Sequence, residues 1–194
     1  MPVLVPVVEG QSEERALGVL LRRLVAATSG GSTTEIARPF RVKRNKVVRE
    51  GELERAVAQA ARSRFGATAV LIVLDADHDC AAELAPALVR RGGTATALPV
   101  GVVLPTVEIE AWILAAVESV RGVCGVRADA QPPTNIESVR DAKGALTARM
   151  TGQRGYVPTN DMPALFAAMD IDLAVSRSPS MAKFVREVRR LSAT

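Results

Sequence analysis

The most constraining feature of the chain is an apolar run that ends in an acid, "ATAVLIVLD" at residues 67–75. It lacks the polar alternation of a half-exposed strand, and a continuous run rich in β-branched residues is typical of a strand buried on both faces of a parallel sheet. Two further apolar runs, at residues 3–8 and 95–105, predict additional strands. Parallel strands need crossover connections, so helices are expected between them.

Helical periodicity occurs in the intervals between these strands. Apolar residues recur at helical spacing on two faces, one from Leu17 to Val25 and one from Leu53 to Ala61. A second strand is expected over residues 37–48. Further helices are expected near residues 81–91, 106–120, 161–169 and 180–191, with Asn160 and Ser180 as caps of the last two. Pro6 suggests that the first strand is an edge strand or contains a bulge.

Alternating strands and helices predict an α/β three-layer sandwich with a mostly parallel central sheet and C-terminal helices. At 194 residues the chain is expected to form a single domain, with a core at about 3–105 and a helical, loop-rich extension at about 106–194. No apolar run approaches the roughly 18 residues of a membrane span, and the N-terminus lacks a basic signal region. We therefore expect a cytoplasmic protein without a membrane partner.

Acidic residues follow two of the expected strands. Glu9 follows the first strand and Glu13 lies four residues later, whereas Asp75, Asp77 and Asp79 follow the strand of residues 67–75. Carboxyl ends of parallel strands meet at one edge of a sheet, so these acids should converge. Two carboxylates about 4 Å apart repel by roughly 4 kcal/mol at an effective dielectric constant near 20. Solvent exposure, a shared proton or a divalent cation with oxygen ligands would offset this repulsion.

Several readings of these acids compete. Glu13 in a first helical turn could simply stabilise the helix dipole, by about 0.3 to 1 kcal/mol, and Asp79 could cap the next helix. An EF-hand is excluded, because Cys80 and Pro86 stand where its loop needs Gly and Glu. With one histidine and two distant cysteines, a thiolate or imidazole zinc site cannot be assembled. An aspartyl-nucleophile phosphatase of the haloacid-dehalogenase type is a weaker alternative.

Together, "VVEGQSEE" and "VLIVLDAD" resemble the catalytic core of Toprim proteins, and the pair of Glu9 and Glu13 is most similar to the Toprim domains of overcoming-lysogenization-defect (OLD) nucleases. The chain also looks like small stand-alone Toprim-like proteins that share "VEIEAWILA", a late lysine and a late tyrosine, here Lys143 and Tyr156. The Toprim resemblance covers about residues 3–105.

The resemblance implies a role for each acid. Glu9 would be a general acid or base or a metal ligand, Glu13 a second ligand, and Asp75 and Asp77 the ligands of Mg²⁺ or Mn²⁺. Asp79 extends this acidic run and is a further candidate ligand. The implied activity is metal-dependent nuclease cleavage of DNA or RNA, with an ABC/OLD-type ATPase as a possible partner in phage defence. The alternative is a non-catalytic Toprim-derived subunit that binds a partner.

Residues outside the Toprim region complete the candidate site. Lys143 could stabilise charge that develops on phosphate, and Tyr156 could lie over the site. Glu108 and Glu110 are two residues apart, so on a helix they would point to different sides. At most one of them is expected at the site, and Glu110 is the candidate.

Residues 38–49 contain six basic residues and no acid. Phosphate contacts are expected from four of them: Arg41, Lys43, Arg44 and Lys46. Protection of an exposed edge strand by charge is the alternative.

Overall fold

The structure, a computed structural model, describes residues 1–28, 34–43, 49 and 51–193. Its strands are β1 (Val3–Val8), β2 (Glu35–Ile36), β3 (Phe40–Arg41), β4 (Ala69–Val73) and β5 (Val100–Val103). Its α-helices are α1 (Gln11–Thr28), α2 (Glu52–Ser63), α3 (Ala81–Thr94), α4 (Glu110–Ala115), α5 (Ala142–Thr147), α6 (Pro158–Ala168), α7 (Ile171–Arg177) and α8 (Pro179–Ser192). Short 3₁₀ turns lie at Val117–Val120, Val123–Gly125 and Ile136–Ser138.

The central sheet has five strands, and every described strand pair is parallel. β1 lies in the interior, with β2 and β3 on one side and β4 on the other, and β5 lies beyond β4. Helix α1 and the C-terminal helices cover one face of the sheet, whereas α2 and α3 cover the opposite face. The chain is therefore an α/β three-layer sandwich, as the sequence predicts.

Each face of the sheet has its own hydrophobic core. Within β1, Leu4 and Val8 belong to the core that includes α1, whereas Val3, Val5 and Val7 belong to the core that includes α2. This alternation explains why the strand sequences are apolar throughout, since both faces are covered. The predicted apolar faces of α1 and α2 pack in these cores, and the apolar face of α8 is buried in the same core as that of α1.

Pro6 lies in an interior strand, so the expectation of an edge strand or bulge is wrong. Main-chain carbonyls of Leu4 and Val8 accept hydrogen bonds from the amides of Ala37 (3.0 Å) and Val42 (2.8 Å), which places the missing N–H of Pro6 between β2 and β3. Of the second strand expected over residues 37–48, the described part, residues 37–43, contains only β3, and residues 44–48 lie outside the described residues. The short strand β2 pairs with β1 before this range, and residues 37–39 separate β2 from β3. Because Pro6 has no N–H to donate, the interruption costs β1 no hydrogen-bond donor at this position.

The C-terminal half departs from the sequence prediction in its helix bounds. The helix expected over residues 106–120 is α4 alone, followed by a 3₁₀ turn. The N-cap of α6 is Val157 rather than Asn160, and the N-cap of α8 is Ser178 rather than Ser180. In both cases a proline follows the true cap and occupies the first helical position, which its fixed φ suits.

Trp112 is the centre of the packing between the sheet and the C-terminal helices. Its side chain is fully buried, its ring centroid lies 4.8 Å from that of Phe184, and its Nε1–H donates to Ser180 Oγ (2.9 Å). Trp112 is therefore a core residue.

Among the helices of the described residues, none combines the length and the apolar character needed to cross a bilayer.

Candidate functional site

The carboxyl ends of β1 and β4 meet at one edge of the sheet. Val8 pairs with Val73, and these are the last residues of the two strands. Glu9 follows directly, and Asp75 lies two residues beyond β4. Because paired strands lie about 4.8 Å apart, the two acidic segments leave the sheet side by side.

Asp75 is partly buried at this edge. Its Oδ1 accepts a hydrogen bond from the main-chain N–H of Ile109 (2.9 Å). Burial raises the pKa of Asp75 well above its usual value, and the negative charges of Glu110 and Glu13 raise it further, while Lys143 acts in the opposite direction. These four side chains therefore form one electrostatic unit, which we call the acidic cluster.

Glu110 is the most buried carboxylate of the acidic cluster, with a residue exposure of 0 %. The hydroxyl of Tyr156 donates to its Oε1 at 3.3 Å, and Lys143 Nζ lies 3.6 Å from its Oε2. Burial raises the pKa of Glu110 from 4.5 to about 7, although the charge of Lys143 opposes the rise. Within the described residues, Oε2 is buried without a hydrogen-bond partner.

Lys143 contacts both glutamates of the "EIE" segment. Its Nζ lies 2.6 Å from Glu108 Oε1 and its main-chain N–H donates to Glu108 Oε2 (3.1 Å). Burial favours a lower pKa for Lys143, but the charges of Glu110 and Glu108 outweigh burial and raise it. The lysine is therefore a cation at neutral pH, held by two carboxylates.

The expectation that at most one of Glu108 and Glu110 can face the site is wrong. It assumed helical geometry, but α4 begins at Glu110 and Val107 has a left-handed backbone with φ of 63°. A β-branched residue rarely adopts this conformation. The turn brings both carboxylates to Lys143, so Glu108 is a contact residue that the sequence reasoning missed.

Tyr156 is 8 % exposed and lies beside Glu110, to which its hydroxyl donates. Burial raises the pKa of its hydroxyl far above the usual value, and the charge of Glu110 adds to the rise. The hydroxyl therefore stays protonated and serves as a hydrogen-bond donor to Glu110.

Glu13 lies in the first turn of α1 and is 8 % exposed. Its carboxylate folds back over Gly10, where an added Cβ would lie 2.2 Å from Glu13 Oε2. The charge of Glu13 raises the pKa values of Asp75, Glu110 and Tyr156. Glu13 thus acts on the acidic cluster, beyond any effect on the helix dipole.

Asp77 and Asp79 lie outside the acidic cluster, on an exposed loop. Asp77 has φ of 51°, and its N–H donates to the carbonyl of Val107 (3.2 Å), so two left-handed non-glycine residues are joined directly. Such conformations cost about 1 to 3 kcal/mol each and are found where surrounding structure enforces them. Asp79 is not the cap of α3, because the N-cap is Cys80.

Basic residues flank the same edge of the sheet. The amide of Val42 donates to the main-chain carbonyl of Val8, and the residues on either side of Val42, Arg41 and Lys43, are exposed. Arg41 is the pairing partner of Val8, so these two cations lie on the strand beside the end of β1, where Glu9 follows. The other two predicted phosphate contacts, Arg44 and Lys46, lie outside the described residues.

The acidic cluster suits a hard divalent cation by its chemistry, because carboxylate oxygens are the preferred ligands and, among the described residues, one buried oxygen of Glu110 lacks a hydrogen-bond donor. In the residues that the structure describes, no group of three or more His, Cys, Asp or Glu side chains is arranged to hold a metal. Mg²⁺ typically takes one or two protein carboxylates and completes its shell with water and substrate phosphates. The donor set therefore suits Mg²⁺ better than a metal that needs a complete protein cage.

Comparison with known families gives one match. The model of a family described as Domain of unknown function (DUF4276) matches residues 8–189, a range that includes the acidic cluster and the C-terminal helices. Searches of curated proteins and of solved structures gave no match.

Proposed function

We propose that this chain, which belongs to the DUF4276 family, is a Mg²⁺- or Mn²⁺-dependent hydrolase of nucleic-acid phosphodiesters. The observation that carries the proposal is the gathering of Glu13, Asp75 and Glu110 at the carboxyl edge of a parallel sheet. Burial raises the pKa values of Asp75 and Glu110, and the negative charges of neighbouring carboxylates, Glu13 among them, raise both further. A site that concentrates negative charge in this way favours a cation.

The candidate metal ligands that we propose are Glu9, Glu13, Asp75, Asp77 and Glu110. Because no group of three carboxylates among the described residues is arranged to hold a metal, we propose that one or two of these candidates bind Mg²⁺ and that water and substrate phosphates complete its shell. Asp79, exposed on the same loop as Asp77, is proposed as an outer ligand. When bound, a divalent cation supplies positive charge that polarises a phosphodiester. In this proposal Glu9, at the end of β1, also serves as the general acid or base.

Lys143 is the proposed electrostatic catalyst. Its ammonium group is fixed by Glu108 at 2.6 Å and lies close to Glu110. A preorganised cation of this kind stabilises the charge that develops on phosphoryl oxygens. Tyr156 orients Glu110 through its hydroxyl hydrogen bond.

Arg41 and Lys43 support nucleic acid as the substrate class, because they are exposed beside the end of β1. Arg44 and Lys46, which follow them in the sequence, are proposed as further phosphate contacts. We propose a cytoplasmic site of action, with an OLD-type ATPase as the partner in phage defence, on the basis of the Toprim resemblance described above.

A cleavage assay on DNA and RNA with Mg²⁺, Mn²⁺ or chelator tests the proposal. Asp75→Asn is expected to reduce metal-dependent cleavage by at least a hundredfold, because it removes one charged ligand from the acidic cluster. Asp172→Asn is the matched control, since Asp172 is exposed on α7. Equal cleavage by wild type and Asp75→Asn would remove the assigned role.

A non-catalytic, partner-binding subunit is the second candidate. The favouring observation is that Lys143 already neutralises part of the acidic cluster, while the described residues form no three-ligand metal group. Absence of metal-dependent cleavage by pure protein, together with metal-independent binding of a partner, would favour this candidate.

A further inference from the structure

A groove of about 820 Å³ runs along β5, on a part of the molecule that the acidic cluster does not use. Its floor is formed by Val100, Val102 and Leu104. One wall is α3 and the other is α8, and these helices pack on opposite faces of the sheet. The groove is therefore a slot in the plane of the sheet, between two helical layers.

The main chain of β5 is directed into this slot. Carbonyls of Pro99 and Val103 accept hydrogen bonds from the amides of Val70 (2.9 Å) and Leu74 (3.3 Å), so alternate residues face β4. In a parallel ladder the residues between them direct both N–H and C=O to the opposite side. Arg190 donates to the Val100 carbonyl (3.2 Å). By the same alternation, the main-chain N–H and C=O of Val102 and the N–H of Leu104 are directed to the groove.

The two walls differ in chemistry. The α3 wall is mainly apolar, with Ala82, Ala85, Pro86 and Val89, and carries a single cation, Arg90. The α8 wall is basic, and its charged residues are Lys183, Arg186, Glu187 and Arg190.

The acids at the groove do not neutralise all of its cations. Glu187 pairs with Arg190 (2.7 Å) and with Lys183 (3.6 Å). The other lining acid, Glu137, accepts hydrogen bonds from serines at the start of α8. Within the described part of the chain, neither Arg90 nor Arg186 has an ion-pair partner, and both are exposed. The groove therefore carries an excess of positive charge.

From this arrangement we infer that the groove binds an extended, acidic segment of a partner protein, which pairs with β5 and adds a strand to the sheet. Successive side chains of a strand point to opposite faces. The segment that matches the walls therefore alternates apolar residues, which face α3, with acidic residues, which face Arg186 and Lys183. Main-chain pairing supplies affinity and the alternating side chains supply specificity.

Two other occupants match the groove less well. A second copy of the chain would bring the same unpaired arginines against each other, and like charges oppose association. A nucleic acid would satisfy the cations but would place a charged backbone against an apolar floor and wall, where desolvation is costly.

The probe is a blocked octapeptide of alternating valine and glutamate, titrated into the ¹⁵N-labelled full chain. We expect shifts at the amides of Val102 and Leu104 and slower hydrogen exchange there. Arg186→Glu should weaken binding about three- to tenfold, as reversal of an exposed charge at an ion pair does. Arg189→Glu is the matched control, because it makes the same charge change on α8 outside the groove.

Several results would overturn the inference. One is the absence of shifts at the amides of Val102 and Leu104 with about 1 mM peptide, because a dissociation constant above about 1 mM is too weak to assign as specific binding. Equal binding of a valine–lysine peptide would refute the charge argument. Equal binding of a peptide methylated at alternate amides would refute strand pairing. Selective binding of an oligonucleotide at these amides, or a dimer of the free chain that already protects them, would identify a different occupant. None of these results depends on hydrolytic activity.

Discussion

Replacement of Glu110 by glutamine should remove much of the pH dependence of folding stability. The pKa of Glu110 rises from 4.5 to about 7 on folding, chiefly because the side chain is buried. The folded chain therefore binds more protons than the unfolded chain between these values, and stability falls as pH rises through this window. Each pH unit is worth about 1.4 kcal/mol, so the loss attributable to Glu110 is roughly 3 kcal/mol once pH exceeds 7.

Glutamine cannot ionise, so Glu110→Gln should not show this loss. The variant also weakens the contact with Lys143, and should therefore be no more stable than wild type near pH 4.5. Above pH 7 it should be more stable, by up to about 3 kcal/mol. Urea unfolding of both proteins from pH 4.5 to 8.5, without divalent metal, measures the difference.

The matched control is Glu83→Gln, which changes an exposed carboxyl group on α3. It should leave the pH dependence of wild type almost unchanged, since the substitution lies on the surface, outside the acidic cluster. Parallel pH profiles for wild type and Glu110→Gln would refute the reasoning, because they would mean that Glu110 does not retain its proton on folding.

Two further substitutions test separate parts of the structure. Gly10→Ala should displace the Glu13 carboxylate, since the new Cβ would lie 2.2 Å from its Oε2. We therefore expect at least a tenfold loss of metal-dependent cleavage in the nuclease assay. The control is Gly93→Ala, whose new Cβ meets no atom within 4 Å and which should retain activity. Trp112→Phe removes the hydrogen bond to Ser180 and part of the buried ring, so urea unfolding should report a loss of about 1 to 3 kcal/mol; an unchanged midpoint would contradict the packing role of Trp112.

Local patterns were sufficient to predict the layers of the fold. The apolar runs of β1, β4 and β5 and the periodic faces of α1, α2 and α8 determine which surfaces are buried, and burial follows from sequence spacing alone. The division of the second expected strand was not predicted. The division depends on which neighbouring strand the missing N–H of Pro6 faces. The order of the strands in the sheet decides that, and the proline itself does not reveal it.

The candidate site was only partly predictable for a similar reason. Acids at strand ends identify Glu9, Glu13 and Asp75, because parallel topology brings such ends together. The contact between Glu108 and Lys143 joins residues 35 positions apart and needs the left-handed turn at Val107. Nothing in a single valine indicates that conformation, so helical spacing gave the wrong answer for the "EIE" segment.

The loops after β4 and β5 are cross-linked at three successive points. The main-chain amides of Ala76 and Asp77 donate to the carbonyls of Pro105 and Val107, respectively. The amide of Ile109 donates in the opposite direction, to the side-chain Oδ1 of Asp75. The two loops should therefore move together, because a displacement of either one would break these hydrogen bonds. Any ligand that pulls on the aspartates consequently transmits its force, through Glu108, to the start of α5 and its lysine.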